Sequence, residues 1–151
     1  MRTDHGDLWS YPADVRCVTT NGVVKVNGEL VMGAGVAKQA AALYPSLAKY
    51  LGDQVRRHGN VPFVYGTYAS TRGLVCSFPT KEHWQEPSKL SLIAHSAQAL
   101  VKLTDEWGWQ TVVMPPPGCG RGGLTWTMVG PVLKPILDDR FVILLSPGTK
   151  T

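Results

Sequence analysis

The chain has 151 residues, 44% hydrophobic and 17% charged, with fifteen Lys and Arg against eleven Asp and Glu for a formal charge of +4. That length buries the core of one domain without metal or disulfide staples. The mild basicity suits a phosphate-bearing ligand or nucleic acid, but the cations are scattered, which excludes a polybasic nucleic-acid arm. The three cysteines, Cys17, Cys76 and Cys119, lie far apart with no C-x-x-C spacing, which argues against zinc or a disulfide framework and for a reducing compartment. No apolar signal region opens the chain and no stretch approaches a membrane span, so a cytoplasmic protein with no membrane partner is expected.

In chain order, "ADVRCVTT" (residues 13–20) reads as a short buried strand, and "VKVNGELVMGAG" begins as a Gly-containing loop or hairpin. From Val36 the period turns helical, with Ala37, Ala40, Ala41 and Tyr44 sharing its face. Ser46 is placed to cap a second helix that ends at Gly59. "VPFVYGTYAS" and "GLVCSF" are strand-like runs around "TRG", a hairpin pattern. Ser88 is expected to open a long helix with Leu90, Ile93, Ala97, Leu100 and Trp107 on one stripe, stopped at Gly108. "QTVVMPPPG" is a strand running into a rigid loop, "TWTMVGPVLKPIL" a proline-interrupted helix, and "RFVILL" a final buried strand. Alternating strands and helices with one hairpin predict an α/β domain with a mixed sheet covered on both faces. Ligands of such folds bind at the carboxyl ends of the strands.

Two Gly-rich stretches fall at those ends. "VMGAGVAK" sets Gly33 and Gly35 before a helix, where backbone N–H groups can approach an anion; alone it is equally a tight turn. "PPPGCGRGGLTW" sets Gly118, Gly120, Gly122 and Gly123 between a strand and a helix, stiff on one side and open on the other. Together they suggest a ligand with two phosphates gripped from both sides. Asn21 suits a sugar hydroxyl or a turn, Asp7 an exocyclic amine or a cap, and Asn27 a turn. The four histidines lack metal-ligand spacing; His95 reads as structural beside the helix stripe and His58 as a solvated helix end. Cys119 has no local base and reads as a small packing residue. "FPTKEHW" (residues 78–84) puts a titratable cluster and a tryptophan where a strand gives out, and Trp84 reads as packing.

Read together, "GDLW", "VTTNG", "VMGAGVAKQ", "FPTKEHWQEPSKL" and "GCGRGGLTW" resemble the macrodomain family over essentially the whole chain. The order and spacing are most similar to the branch of the DNA ADP-ribosyl glycohydrolase antitoxin DarG and the terminal ADP-ribose glycohydrolases. The resemblance implies a three-layer α/β/α sandwich with a mixed central sheet, a single macrodomain over residues 1–151, binding ADP-ribose in a cleft. On it, Asp7 and Leu8 meet the adenine and Asn21 the distal ribose. Met32, Gly33, Ala34, Gly35 and Val36 hold the diphosphate with Gly118, Cys119, Gly120, Arg121, Gly122 and Gly123, and Thr80 and Leu124 complete the binding set. Lys81 acts at the anomeric carbon of the distal ribose and His83 orients or assists it. Cleaving that bond needs a nucleophile or proton carrier near an oxocarbenium-like centre, and a lysine amine can be either. Glu82 is expected to point the opposite way.

Two departures shape the expected function. The branch's protein glycohydrolases carry an aspartate in the loop after "GCG", where this chain has "RGG", with Gly122 at or near the place. The loop "VTTNGVVKVNGELVMG" is also longer than the antitoxin's. The glycine version favours removal of mono-ADP-ribose from thymine in single-stranded DNA. Hydrolysis at acidic protein side chains comes next, then a reader that binds ADP-ribose without turnover, then an ADP-ribose 1″-phosphate phosphatase. The antitoxin's additional C-terminal domain has no counterpart here, which leaves no basis for direct toxin contact. No cofactor or metal is implied, and a monomer is expected.

Overall fold

A computed structural model describes residues 1–66 and 73–151. The strands β1 (Arg2–Asp4), β2 (Val15–Thr20), β3 (Val64–Tyr65), β4 (Leu74–Pro79), β5 (Val112–Met114) and β6 (Phe141–Leu144) form one sheet in the order β1-β6-β5-β2-β4-β3. Every neighbouring pair is parallel except β3 with β4. The antiparallel edge fits the hairpin read in the sequence, although most of its turn lies outside the described residues. The helices are α1 (Gly35–Leu43), α2 (Leu47–His58), α3 (Leu90–Trp107) and α4 (Trp126–Leu133).

Alternation along each strand divides the core into two faces. Val15, Cys17, Val112, Met114, Phe141 and Ile143 pack with Ile93, Ala97 and Leu100 of α3 and Val129 and Leu133 of α4. Val18 and Val75 point the other way, onto Ala37, Ala40, Leu47 and Leu51 of α1 and α2. Val113, Val142 and Leu144 on that same side meet Leu8, with Trp9 and Val36 against them. The result is the expected α/β/α sandwich. Each fully buried side chain such as Phe78 or Leu100 contributes about 1.5–3 kcal/mol to holding the layers together.

Gly108 ends α3 in the left-handed conformation, φ 71°, its N–H bonded to the Thr104 carbonyl. Thr125 caps α4 by accepting from the Met128 N–H, and Asn27 closes its turn by accepting from the Glu29 N–H at 3.0 Å. Three expectations need correction, and one strand carried no sequence signal. Ser46 stands at the N-cap of α2 as expected, but its side chain makes no capping bond and its Oγ meets the Tyr65 hydroxyl, while Ser88 yields the N-cap of α3 to Lys89. The backbone N–H of Ser88 is bonded to the Gly122 carbonyl instead, which carries the serine one residue out of the helix. Strand β1 was not read from the sequence, because its three residues are exposed and carry no apolar pattern. His95 is exposed, not packed beside the α3 stripe.

The parallel strands set the position of everything that follows. Four of them, β2, β4, β5 and β6, end on one edge, and the residues that leave them line a single cleft: Thr20 and Asn21, Thr80 and Lys81, Pro115 and Pro116, Leu144 and Ser146.

Candidate functional site

The cleft encloses about 1330 Å³. Its first wall is set by Asn21, which accepts from the Val23 N–H at 2.9 Å and donates from Nδ2 to the Val31 carbonyl at 2.9 Å. One side chain thus folds the start of the long loop and fastens its end, returning Met32–Val36 to the tip of β2. The turn reading of Asn21 is what the structure shows, and the residue also lines the cleft. The loop lies on α2 through the bond from the Leu30 N–H to the Ala48 carbonyl, and its Val24 bridges Leu30 in antiparallel fashion.

Ala34, the N-cap of α1, is extended and supplies no side-chain cap. The N–H groups of the first turn therefore face the cleft without a protein partner among the described residues, a favourable place for an anion. Side chains added at Gly33 or Gly35 would meet nothing within 4 Å, so both glycines open onto the cleft.

The second wall is the loop after β5. It is closed by bonds from the Leu124 N–H to the Gly118 carbonyl (2.9 Å) and from the Gly123 N–H to the Gly120 carbonyl (3.3 Å). The N–H groups of Gly120, Arg121 and Gly122 have no partner among the described residues. Gly120 is open, whereas Gly122 is pressed against α3's entrance. A Cβ at 122 would overlap Ser88 Oγ and lie 2.6 Å from the Gly118 carbonyl oxygen. Ser88 Oγ itself is buried without a partner. Cys119 is buried, and that burial pushes its thiol up to about 11, so it is neutral near pH 7 and fits the packing reading.

The third part is the turn after β4. The Thr80 N–H bonds to the Thr20 carbonyl at 3.0 Å, carrying the sheet register one residue past the strands. Asn60 Nδ2 holds the Lys81 carbonyl at 3.0 Å and reaches Glu82 Oε2 at 3.3 Å. Glu82 therefore turns away from the cleft while Lys81 turns in, as the alternation predicts. Lys81 Nζ donates long bonds to the carbonyls of Trp84 (3.4 Å) and Arg121 (3.5 Å). Lys81, Arg121 and Glu86 are the charged side chains lining the cleft among the described residues.

Leu8, Asn21, Met32, Gly33, Ala34, Gly35, Val36, Thr80, Lys81, Gly118, Cys119, Gly120, Arg121 and Gly122 are gathered in this lining. Asp7, His83, Gly123 and Leu124 fall outside it. Asp7 is exposed, its carbonyl taken by the N–H groups of Ser10 and Tyr11, while Gly6 and Leu8 on either side face in. His83 Nδ1 accepts the Gln85 N–H at 3.1 Å and its ring stacks on Trp84, so it contacts the turn and not Lys81. Leu124 packs toward the α3 core, and Gly123 serves the loop's own closure. Trp84, expected to be packing, is half exposed and lines the cleft with Gln85, Glu86 and Ser88. Its place in a charged cluster at a strand end was the signal for exposure. Gly6, the first residue of "GDLW", also contributes, as do Ser146 and Thr149 from a segment with no motif.

This is the fold and cleft of a macrodomain, and a Macro domain family profile matches residues 23–133: the chain belongs to that family. Among relatives, it is 33% identical over 135 residues to a DNA ADP-ribosyl glycohydrolase of Thermus aquaticus, covering 85% of this chain and 35% of the relative. It is 35% identical over 106 residues to one of Mycobacterium tuberculosis, covering 67% and 30%. The chain thus spans about a third of the length of these curated relatives. Among solved structures, the macrodomain of Thermus aquaticus DarG superposes with a TM-score of 0.82 at 28% identity, over 97% of both chains. Thermosipho africanus DarTG in complex with ADP-ribose gives 0.82 at 25% identity, over 97% of this chain and 41% of that one.

Proposed function

We propose that this chain is an ADP-ribosyl glycohydrolase that releases mono-ADP-ribose from a nucleobase, thymine in single-stranded DNA, with Lys81 acting at the anomeric carbon of the distal ribose. The observation that carries the reading is the position of the Lys81 amine. It lies in the cleft where the β4 turn meets the Gly-rich loop, held among the described residues by two long contacts to carbonyls that a substrate can displace. The two sets of free N–H groups, at the start of α1 and at Gly120–Gly122, suit a diphosphate between them. Leu8 then offers an apolar surface to the adenine, and Asn21 and Lys81 border the distal ribose.

Hydrolysis breaks the bond between C1″ and the base nitrogen. The electron pair leaves with the base, which takes up a proton, and water supplies hydroxide to C1″. Lys81 serves this exchange either by attacking C1″ as the amine or by protonating the departing base as the ammonium. The lack of room for any side chain at 122 supports a mechanism without a loop carboxylate there, which favours the nucleobase over acidic protein side chains. The names of the relatives, DNA ADP-ribosyl glycohydrolases, and the ADP-ribose in the Thermosipho complex support the same substrate class. We place this activity in one macrodomain over residues 1–151, working as a cytoplasmic monomer.

Incubation of an ADP-ribosylated thymidine oligonucleotide with wild type and Lys81→Ala tests the proposal. Release by wild type alone is expected. Equal release by both removes Lys81 from the mechanism, and tight ADP-ribose binding with no release by wild type makes the chain a reader.

A further inference from the structure

Trp84 is 49% exposed, whereas the core tryptophan of the same chain, Trp109, is 2% exposed. The Trp84 indole stacks on the His83 imidazole, ring centres 5.6 Å apart and planes 27° apart. His83 is in turn fixed by the Gln85 N–H on its Nδ1 and by the Glu86 N–H on its carbonyl. The pair is therefore pre-assembled, and its free indole surface lies at the rim of the cleft. It is also coupled to the reactive amine, because the Trp84 carbonyl is one of the two that receive Lys81 Nζ. A rigid aromatic surface beside the bond to be cut is suited to a flat π-system, and nucleobases stack on such surfaces whatever their sequence.

The neighbouring surface favours a phosphodiester strand. The Gly22 N–H bonds to the Glu82 carbonyl at 3.1 Å, and Asn60 holds the Lys81 carbonyl, so the long loop and the end of α2 adjoin this turn. The loop carries Lys25, and α2 carries Lys49 in its first turn and Arg56 in its last. Lys49 and Arg56 donate to the carbonyls of Asn27 and Lys25, at 3.0 and 3.5 Å, and not to carboxylates. Among the described residues these three cations have no carboxylate partner, and they stand beside Glu29 and Glu82 of the same segments, so a phosphodiester strand leaving on this side meets a mixed surface with cations available to it.

We propose that Trp84, braced by His83, is the acceptor subsite: a stacking platform for the base that carries the ADP-ribose. This rests on the glycohydrolase reading above and names the acceptor half of the same site.

Calorimetry in a Lys81→Ala background, where turnover is removed, separates the two halves. ADP-ribose and an ADP-ribosylated thymidine oligonucleotide are titrated into Lys81→Ala alone and combined with Trp84→Ala or Trp84→Phe. The oligonucleotide is expected to bind about tenfold tighter than ADP-ribose, to lose most of that advantage with Trp84→Ala and to keep most of it with Trp84→Phe. ADP-ribose affinity stays the same in all three. An advantage undiminished by Trp84→Ala, the absence of any advantage, or a fall in ADP-ribose affinity with Trp84→Ala would each overturn the platform. Release of ADP-ribose from the same oligonucleotide by wild type judges the glycohydrolase reading separately.

Discussion

Lys81 Nζ lies 3.5 Å from the Arg121 carbonyl, so the turn after β4 and the Gly-rich loop after β5 meet at one amine. The contact is long and exposed and contributes little to stability; its significance is that it points the amine across the cleft. Lys81→Arg keeps the charge and loses the compact amine, since a guanidinium neither attacks carbon nor gives up a proton near neutrality. Release of ADP-ribose is expected to fall by about 10²–10⁴-fold, with ADP-ribose affinity little changed. Comparison of single-turnover rates with calorimetry checks this, and an active arginine variant would reduce Lys81 to a point charge.

Gly33 and Gly120 open onto the cleft, and neither has a positive φ. Glutamate is therefore tolerated by the backbone at both positions while its carboxylate enters the space read as the diphosphate site. Gly33→Glu and Gly120→Glu should each weaken ADP-ribose binding by about 100-fold or more through filled space and like charge. Stability in denaturant should change by no more than about 0.5 kcal/mol, as for surface changes. Unimpaired binding in both variants would move the diphosphate elsewhere.

Gly122 behaves oppositely. Introducing an aspartate at this place is the obvious attempt to turn the proposed specificity toward protein substrates, and the structure predicts that it fails. The new Cβ would overlap Ser88 Oγ and crowd the Gly118 carbonyl. Gly122→Asp should destabilise the fold by about 1–3 kcal/mol, the usual cost of overpacking. Adding Ser88→Ala should recover part of that loss but not all, because the backbone carbonyl remains. Full stability of Gly122→Asp would show that the loop repositions freely.

The buried thiols give a pH dependence. Burial pushes Cys119 up to about 11 and raises Cys17 as well, with Cys76 beside Cys17 adding to its shift. An unfolded thiol loses its proton near about 8.5. Above that pH the unfolded chain binds fewer protons than the folded one, so stability is present below it and falls as pH rises toward 11. Denaturant titrations at successive pH values should show the decline. Alkylation of Cys119 at mildly basic pH should be far slower in the folded protein than after unfolding, and equal rates would contradict the burial.

The strands β2, β4, β5 and β6 were legible because each is a short run of residues buried on both faces, punctuated by Gly or Pro. Strand β1 was not, since its pairing with β6 is a property of the sheet and leaves Arg2–Asp4 exposed. The glycines of the cleft were legible by position, between strand and helix. What no local pattern announces is adjacency between distant segments: the Asp4 carbonyl accepts from the Leu145 N–H at 2.9 Å, bringing the two ends of the chain together beside the cleft. The same limit explains Ser88, whose neighbour Gly122 decides its role.

The central claim is that Lys81 cleaves a bond between ADP-ribose and a nucleobase in this cleft. The most direct measurement is the release of ADP-ribose from an ADP-ribosylated thymidine oligonucleotide by wild type and Lys81→Ala, with ADP-ribose affinity measured on both. Rapid release by wild type, loss of release in the variant and retained affinity in both is the predicted result. Release that persists in Lys81→Ala, or its absence from a wild type that binds ADP-ribose well, would contradict the claim.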